Sequence, residues 1–327
     1  MKRLGLLLLS AICLTFAGAA NAQDKYPSKP IKIVVPYAPG GATDITSRVF
    51  GEQLKNILGQ QVVVENKPGA FGILAIEEMA RSKPDGYTLF VGNVSTNAIT
   101  PVLYKDKFKI DFEKEVVSVS RLAIYPSFLI TTTKNFDVKT VADLMDNAKK
   151  NPGKIRYTSA GVGSFPHFDT EIFARRAGID IVHIPNKSGA AGMINDLVVG
   201  DVQMAFINVA STAAMVKAGS LRPLAVLSEK RLADYPDIPT LAEAGYPGVG
   251  TLHWQAMLAP ADTPKETLAT LHKAIVEAAK VPQLQEAFSK QLVTVSPHAS
   301  LEEAQAWLKN EIASWKKITG EVKIEMN

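Results

Sequence analysis

Four stretches of the chain gather residues suited to holding an anion. The first is VVPYAPGGATD, residues 34–44. Its prolines and glycines read as a loop, Tyr37 and Thr43 add hydroxyls, and Asp44 opens a run with helical spacing. Glycine lets backbone approach a ligand closely. A helix start adds unpaired N–H groups and a partial positive charge that favours an anion by roughly 0.3–1 kcal/mol. Pro39, Gly40, Gly41, Ala42, Thr43 and Asp44 are therefore candidate binding positions, and Thr43 or Asp44 also suits helix capping. The second stretch, GNVSTNAITP at residues 92–101, offers Asn93, Ser95 and Thr96 as neutral donors. The third, SAGVGSFPH at residues 159–167, repeats the logic of the first with Gly161, Gly163, Ser164, Phe165 and His167. In the fourth, IPNKSGAAG and FINVAS set Asn186, Lys187, Ile207 and Asn208 before further helical runs, with Lys187 suited to pair with a carboxylate.

The same residues do not assemble a catalytic set. Gly161-x-Gly163-x-x-Pro166 lacks the third glycine of a dinucleotide fingerprint, and no acidic residue ends the next apolar run to hold a ribose. No G-x-x-x-x-G-K-[ST] loop occurs. Ser164 directly follows Gly163, so there is no G-x-S-x-G elbow. Histidines 167, 183, 253, 272 and 298 are scattered without H-E-x-x-H spacing. The expectation is a binding protein rather than an enzyme, with no metal and no cofactor.

The N-terminus reads as a targeting segment. Lys2 and Arg3 precede an apolar run at residues 4–16, and Ala20-Asn21-Ala22 is a small-x-small cleavage site. Residues 1–22 are thus expected to be a cleaved signal peptide, too short in its apolar part to span a bilayer. The only cysteine, Cys13, lies inside it, leaving a mature chain with neither disulfide nor thiolate chemistry. Removing Lys2 and Arg3 takes two positive charges from a formal +4. The near-neutral remainder has no nucleic-acid footprint.

Apolar periodicity places these loops on an α/β frame. Strand-like and helical runs alternate from Ile31 to Val91, the pattern of parallel strands with helical crossovers. The alternation restarts at Ser127 and continues to Leu227. Strand-like 252–258 then leads into late helices at 264–280, 282–290 and 301–322. Two βα lobes joined by two crossing hinge strands account for this order. Lobe 1 is expected at 23–122 and 228–327, and lobe 2 at 123–227. Ligands of such sheets sit beyond the strand C-termini, where all four stretches fall.

VVPYAPGGATD, VVVENKPGAFG, KPDGYTL, SAGVGS with a downstream histidine, and DIPTLAEAGYPG occur in order along the chain. Together they resemble the Bug/TctC family, the periplasmic solute-binding subunits of tripartite tricarboxylate transporters. The resemblance implies a two-lobed, type II periplasmic-binding-protein-like fold that closes on an organic carboxylate. One ligand carboxylate would be held between residues 36–44 and residues 159–167, partly through waters. The partners implied are membrane permease subunits, and the protein is expected to be a periplasmic monomer. Presentation of the ligand to a periplasmic sensor is the alternative output, and a periplasmic enzyme a weaker one. The chain departs from the family pattern at Asn186, often tyrosine, at Ile207, often acidic, and at Phe165-Pro166, often a pair of small residues. With Tyr37, these changes point to a ligand with a bulky apolar or aromatic body and one or two carboxylates.

Overall fold

The computed structural model describes residues 26–186 and 188–322. The expected signal peptide at 1–22 and the candidate Lys187 lie outside the described residues. The first strands are β1 (Ile31–Val35), β2 (Val62–Asn66), β3 (Thr88–Asn93) and β4 (Val116–Tyr125). They are followed by β5 (Ser127–Thr132), β6 (Arg156–Ser159), β7 (Val182–Pro185), β8 (Met204–Asn208) and β9 (Leu221–Leu227). Last come β10 (His253–Pro260) and β11 (Thr294–Val295). The chain forms two sheets, ordered β11-β4-β10-β3-β1-β2 and β7-β6-β8-β5-β9. β1 pairs parallel with β2 and β3, as the early alternation predicts, and β10 runs antiparallel between β3 and β4. In the second sheet β6 is parallel to β7 and β8, while β5 is antiparallel to β8 and β9.

The longer helices are α1 (Ala42–Leu58), α2 (Ile73–Ala80), α3 (Val141–Lys150) and α4 (Phe165–Ala177). They continue with α5 (Gly189–Val199), α6 (Val209–Lys217), α7 (Lys265–Ala278), α8 (Pro282–Ser289) and α9 (Leu301–Glu321). They cover both faces of each sheet. Ile31, Ile33, Val35, Leu89 and Val91 pack on Phe50 and Leu54 of α1 and Leu271 of α7. Val34 and Phe90 turn to the opposite face, against Ile76 of α2 and Trp315 of α9. Burial on both sides is why Ile33–Val35 and Leu89–Val91 read as unbroken apolar runs, while Lys32 reaches out to Glu78. Lobe 2 repeats the plan, with Leu129 and Phe206 on one face and Phe128 and Ile207 on the other.

Strand pairing moves both lobe boundaries from their expected positions. β4 keeps to the first sheet as far as Tyr125, so the first crossing falls at Pro126 rather than after residue 122. The second crossing falls near residue 250 rather than 228. Leu232, Tyr235 and Ile238 pack on one face of lobe 2, Leu241 and Val249 on the other, and Thr240 bridges Val226. The strand β4 itself is missing from the sequence expectation. Ser118, Ser120 and Arg121 interrupt its apolar pattern, yet both serines are buried and Arg121 is held by Ser296. α4 ties the lobes together. Phe165 and Phe168 enter the core of lobe 1 beside Trp254, and Phe173 enters that of lobe 2.

Candidate functional site

The C-terminal ends of β1, β3 and β6 carry the glycine-rich loops to the boundary between the lobes. In lobe 1, Gly40 takes φ 84°, a left-handed conformation suited to glycine. Its N–H donates to Asp44 Oδ2 at 2.9 Å. Asp44 also accepts from Asn66 Nδ2 (2.9 Å) and from Arg48 (2.9 and 3.0 Å). Burial pushes the Asp44 carboxyl up, but Arg48, the Gly40 N–H and Asn66 outweigh it and hold it below the usual range. Asp44 is thus the clamp that fixes the loop. Gly41 caps α1 with no side-chain bond, so the N–H groups of Ala42, Thr43 and Asp44 have no acceptor among the described residues. These are the anion-suited donors. Pro39, Gly40 and Gly41 are exposed beside them.

The second loop supports the first. Tyr37 donates its hydroxyl to Asn93 Oδ1 at 2.8 Å, and the same oxygen takes the Ser95 N–H at 2.9 Å. Burial pushes the Tyr37 phenol up, so it stays protonated. Thr96 is spent on Asn93 and Asn97. A third lobe 1 loop, quoted in the sequence only within the family motif VVVENKPGAFG and not as a candidate site, closes against these two. Gly69, Ala70, Phe71 and Gly72 all take positive φ. A Cβ on Gly72 would lie 2.7 Å from Thr96 Cγ2 and 3.3 Å from Pro36 Cβ. Phe71 stacks on Tyr104 at 4.5 Å, and the Tyr104 hydroxyl reaches Val162 O of lobe 2 at 3.5 Å.

Lobe 2 does not mirror lobe 1. At the start of α4, Phe165 N–H donates across the boundary to Ser95 Oγ at 3.1 Å. Pro166 has no N–H, and His167 N–H returns to Ser164 O. Ser164 Oγ donates to Gly161 O at 2.7 Å. The expected free helix start is therefore already used, and its first donor is a bond between lobes. His167 is a structural residue: its Nδ1 accepts the Gly163 N–H at 3.1 Å, and its ring stacks on His183 at 3.9 Å. Burial, then the neighbouring His183, pushes His167 down to about 3, so it is neutral with its proton on Nε2. Ser159 Oγ lies 2.7 Å from His183 Nε2, but this serine is fully buried and also bonds Gly161 O.

The fourth stretch meets the third through its backbone, Asn186 N–H donating to Ser159 O at 2.9 Å, but its side chains are spent locally. Asn186 bonds Asp196 Oδ2 and accepts from Ser188 N–H, which shapes the turn before α5. Asn208 caps α6 by accepting from Ser211 N–H. Ile207 is a core residue of lobe 2, packed with Met193 and Leu197, because strand alternation turns it into the sheet face. It does not line the boundary as the apolar-wall reading expects. Phe165 does sit there, 8% exposed and stacked on His253 of β10 at 4.3 Å. His253 figured in the sequence only as one of five scattered histidines and Gln255 not at all, although two polar residues at alternate positions of an apolar strand were visible.

The profile described as the tripartite tricarboxylate transporter family receptor (TctC) matches residues 46–324. The chain belongs to the TctC family. Protein BugT of Bordetella pertussis, a TctC relative of this chain, is 32% identical over 323 residues, 98% of either protein. The periplasmic binding protein BugD superposes with a TM-score of 0.81 at 30% identity, covering 92% of this chain and 99% of BugD. An adipate-bound protein of R. palustris superposes with a TM-score of 0.82, also at 30% identity, covering 91% of this chain and 98% of its own. The fold is thus that of two-lobed periplasmic binding proteins, and the TctC chain is a solute-binding protein of this class. None of the described helices is long and apolar enough to cross a membrane.

Proposed function

We propose that this chain binds an organic carboxylate in the periplasm and delivers it to the membrane permease subunits of a tripartite tricarboxylate transporter. The observation that carries the reading is the start of α1, where three successive N–H groups lack acceptors among the described residues and Arg48 neutralises the one nearby carboxylate. A ligand carboxylate there would face the Phe165–Ser95 bond that joins the lobes. Closure would then bury the ligand under lobe 2, and a closed receptor is the form a permease can recognise. The adipate bound by the R. palustris protein is a carboxylate, which agrees with this chemistry. Tyr37, Phe71 and Phe165 supply apolar surface for the ligand's body.

A thermal-shift screen against mono-, di- and tricarboxylates, acidic amino acids and aromatic acids tests the reading. A ligand at a hundredfold over Kd stabilises by about 2.7 kcal/mol, which raises Tm by several degrees. A hit among the acids supports a carboxylate receptor. Silence across the panel from folded, ligand-free protein overturns it.

A further inference from the structure

His253 and Gln255 alternate along β10 and share the sheet face of Met257 and Ala259, while Trp254, Ala256 and Leu258 turn to the other face. They are 3% and 0% exposed. His253 Nδ1 and Nε2, and Gln255 Oε1 and Nε2, have no hydrogen-bond partner among the described residues. A buried polar group left unpaired is costly, and folded proteins seldom leave four such atoms on two neighbouring side chains. Their place in the fold gives the reason. Gln255 pairs across the sheet with Asn93, whose amide oxygen holds Tyr37 and Ser95. The His253 ring lies against Phe165 of α4 and, at 5.4 Å, against Tyr125. Tyr125 is bonded in turn to Thr46 of α1. The two side chains therefore sit between the starts of α1 and α4, one strand from the loop that carries Ser95.

We infer that His253 and Gln255 form a polar floor of the cleft that takes a neutral hydrogen-bonding group of the ligand, a hydroxyl or an amide. The inference rests on the carboxylate reading, which places the ligand's charge at Ala42–Asp44. The chemistry of the floor selects the class. Burial pushes His253 down to about 3, so its ring is neutral and offers one N–H donor and one lone pair. Gln255 adds an amide with donor and acceptor. A hydroxyl or amide satisfies such a mixed set. A second carboxylate would meet Gln255 Oε1 and an imidazole lone pair with acceptors only; Arg48 of α1 is committed to Asp44 and Arg121 of β4 to Ser296.

The test is calorimetric binding of matched acids: succinate and malate, benzoate and 4-hydroxybenzoate, hexanoate and 6-hydroxyhexanoate. Wild-type protein is expected to bind the hydroxylated member of at least one pair tenfold or more tightly. Gln255→Leu and His253→Phe, the latter keeping a ring on Phe165, should bring that ratio close to one by weakening the hydroxylated acid. Tm of the variants should hold or rise, since unpaired polar atoms are removed. Plain acids that bind wild type without any hydroxyl preference overturn the floor alone. So does a preference that survives in either folded variant, which would assign the four atoms to trapped water. No binding of any acid removes the carboxylate reading and the floor with it.

Discussion

Asp169 makes the sharpest energetic prediction. It lies one turn into α4, fully buried, with Oδ1 accepting the Thr251 N–H at 2.8 Å and Oδ2 unpaired among the described residues. Burial pushes its carboxyl up to about 8, against the downward pull of Thr251. An unfolded aspartate titrates near 3.9. Between about pH 4 and 8 the folded protein therefore holds a proton that the unfolded chain has released. Stability from this group is full below the unfolded value and is lost as pH rises to 8. The slope is about 1.4 kcal/mol per pH unit at most, and the ceiling over the window is on the order of 5 kcal/mol. Asp169→Asn keeps the acceptor for Thr251 and is neutral throughout. Denaturant unfolding of both proteins from pH 4 to 8 should show the variant gaining on wild type by roughly 1 kcal/mol per unit. His167, His183 and His253 are pushed down by burial, to about 3, 4 and 3, so their contribution falls instead as pH drops below about 6.5. That trend is common to both proteins and cancels in the difference. A difference that is flat across the range would refute an ionisable, desolvated Asp169.

Other predictions concern the cleft. Gly41 has φ −78° and only Ala38 O within 4 Å of an added Cβ, at 3.7 Å; Gly41→Val should fold normally, by circular dichroism and Tm, yet lose tenfold or more in carboxylate affinity by calorimetry. Ser95→Ala leaves the Phe165 N–H unpaired across the lobes, a loss of about 1–3 kcal/mol that should appear as weaker ligand binding and a larger radius of gyration in solution scattering. Ser164→Ala breaks the bond to Gly161 O inside lobe 2 and should weaken binding by a similar amount without changing the radius. Asp44→Ala frees Arg48, Asn66 and the Gly40 N–H together, and hydrogen exchange at residues 38–44 should rise well above that of α1.

Much of the frame was legible because periodicity and punctuation agree. The strand-like run expected at 252–258 falls on β10, and the late helices expected at 264–280, 282–290 and 301–322 fall on α7, α8 and α9 to within two residues at either end. The first loop was legible as a glycine-rich turn into a helix, which is how Gly40 and Gly41 lead into α1. What failed depends on tertiary partners. Whether Asp44 faces a ligand or clamps its own loop turns on Arg48 and Asn66, eighteen positions apart in the chain yet bonded in the fold. The start of α4 looked equivalent to that of α1 until Ser95, from the other lobe, took its first N–H. Ile207 has no signature that separates a cleft wall from a core, because only strand register decides which face it meets. Residues 228–249 carry too few strand or helix signals to show which lobe they join, and their packing on lobe 2 appears only in three dimensions.

The most direct measurement is a crystal structure of the protein with the acid that gives the largest thermal shift. The ligand carboxylate is expected within hydrogen-bonding distance of the N–H groups of Ala42 and Thr43, directly or through one water, with lobe 2 closed over it. A carboxylate bound away from the start of α1, with those N–H groups turned to solvent, would contradict the assignment.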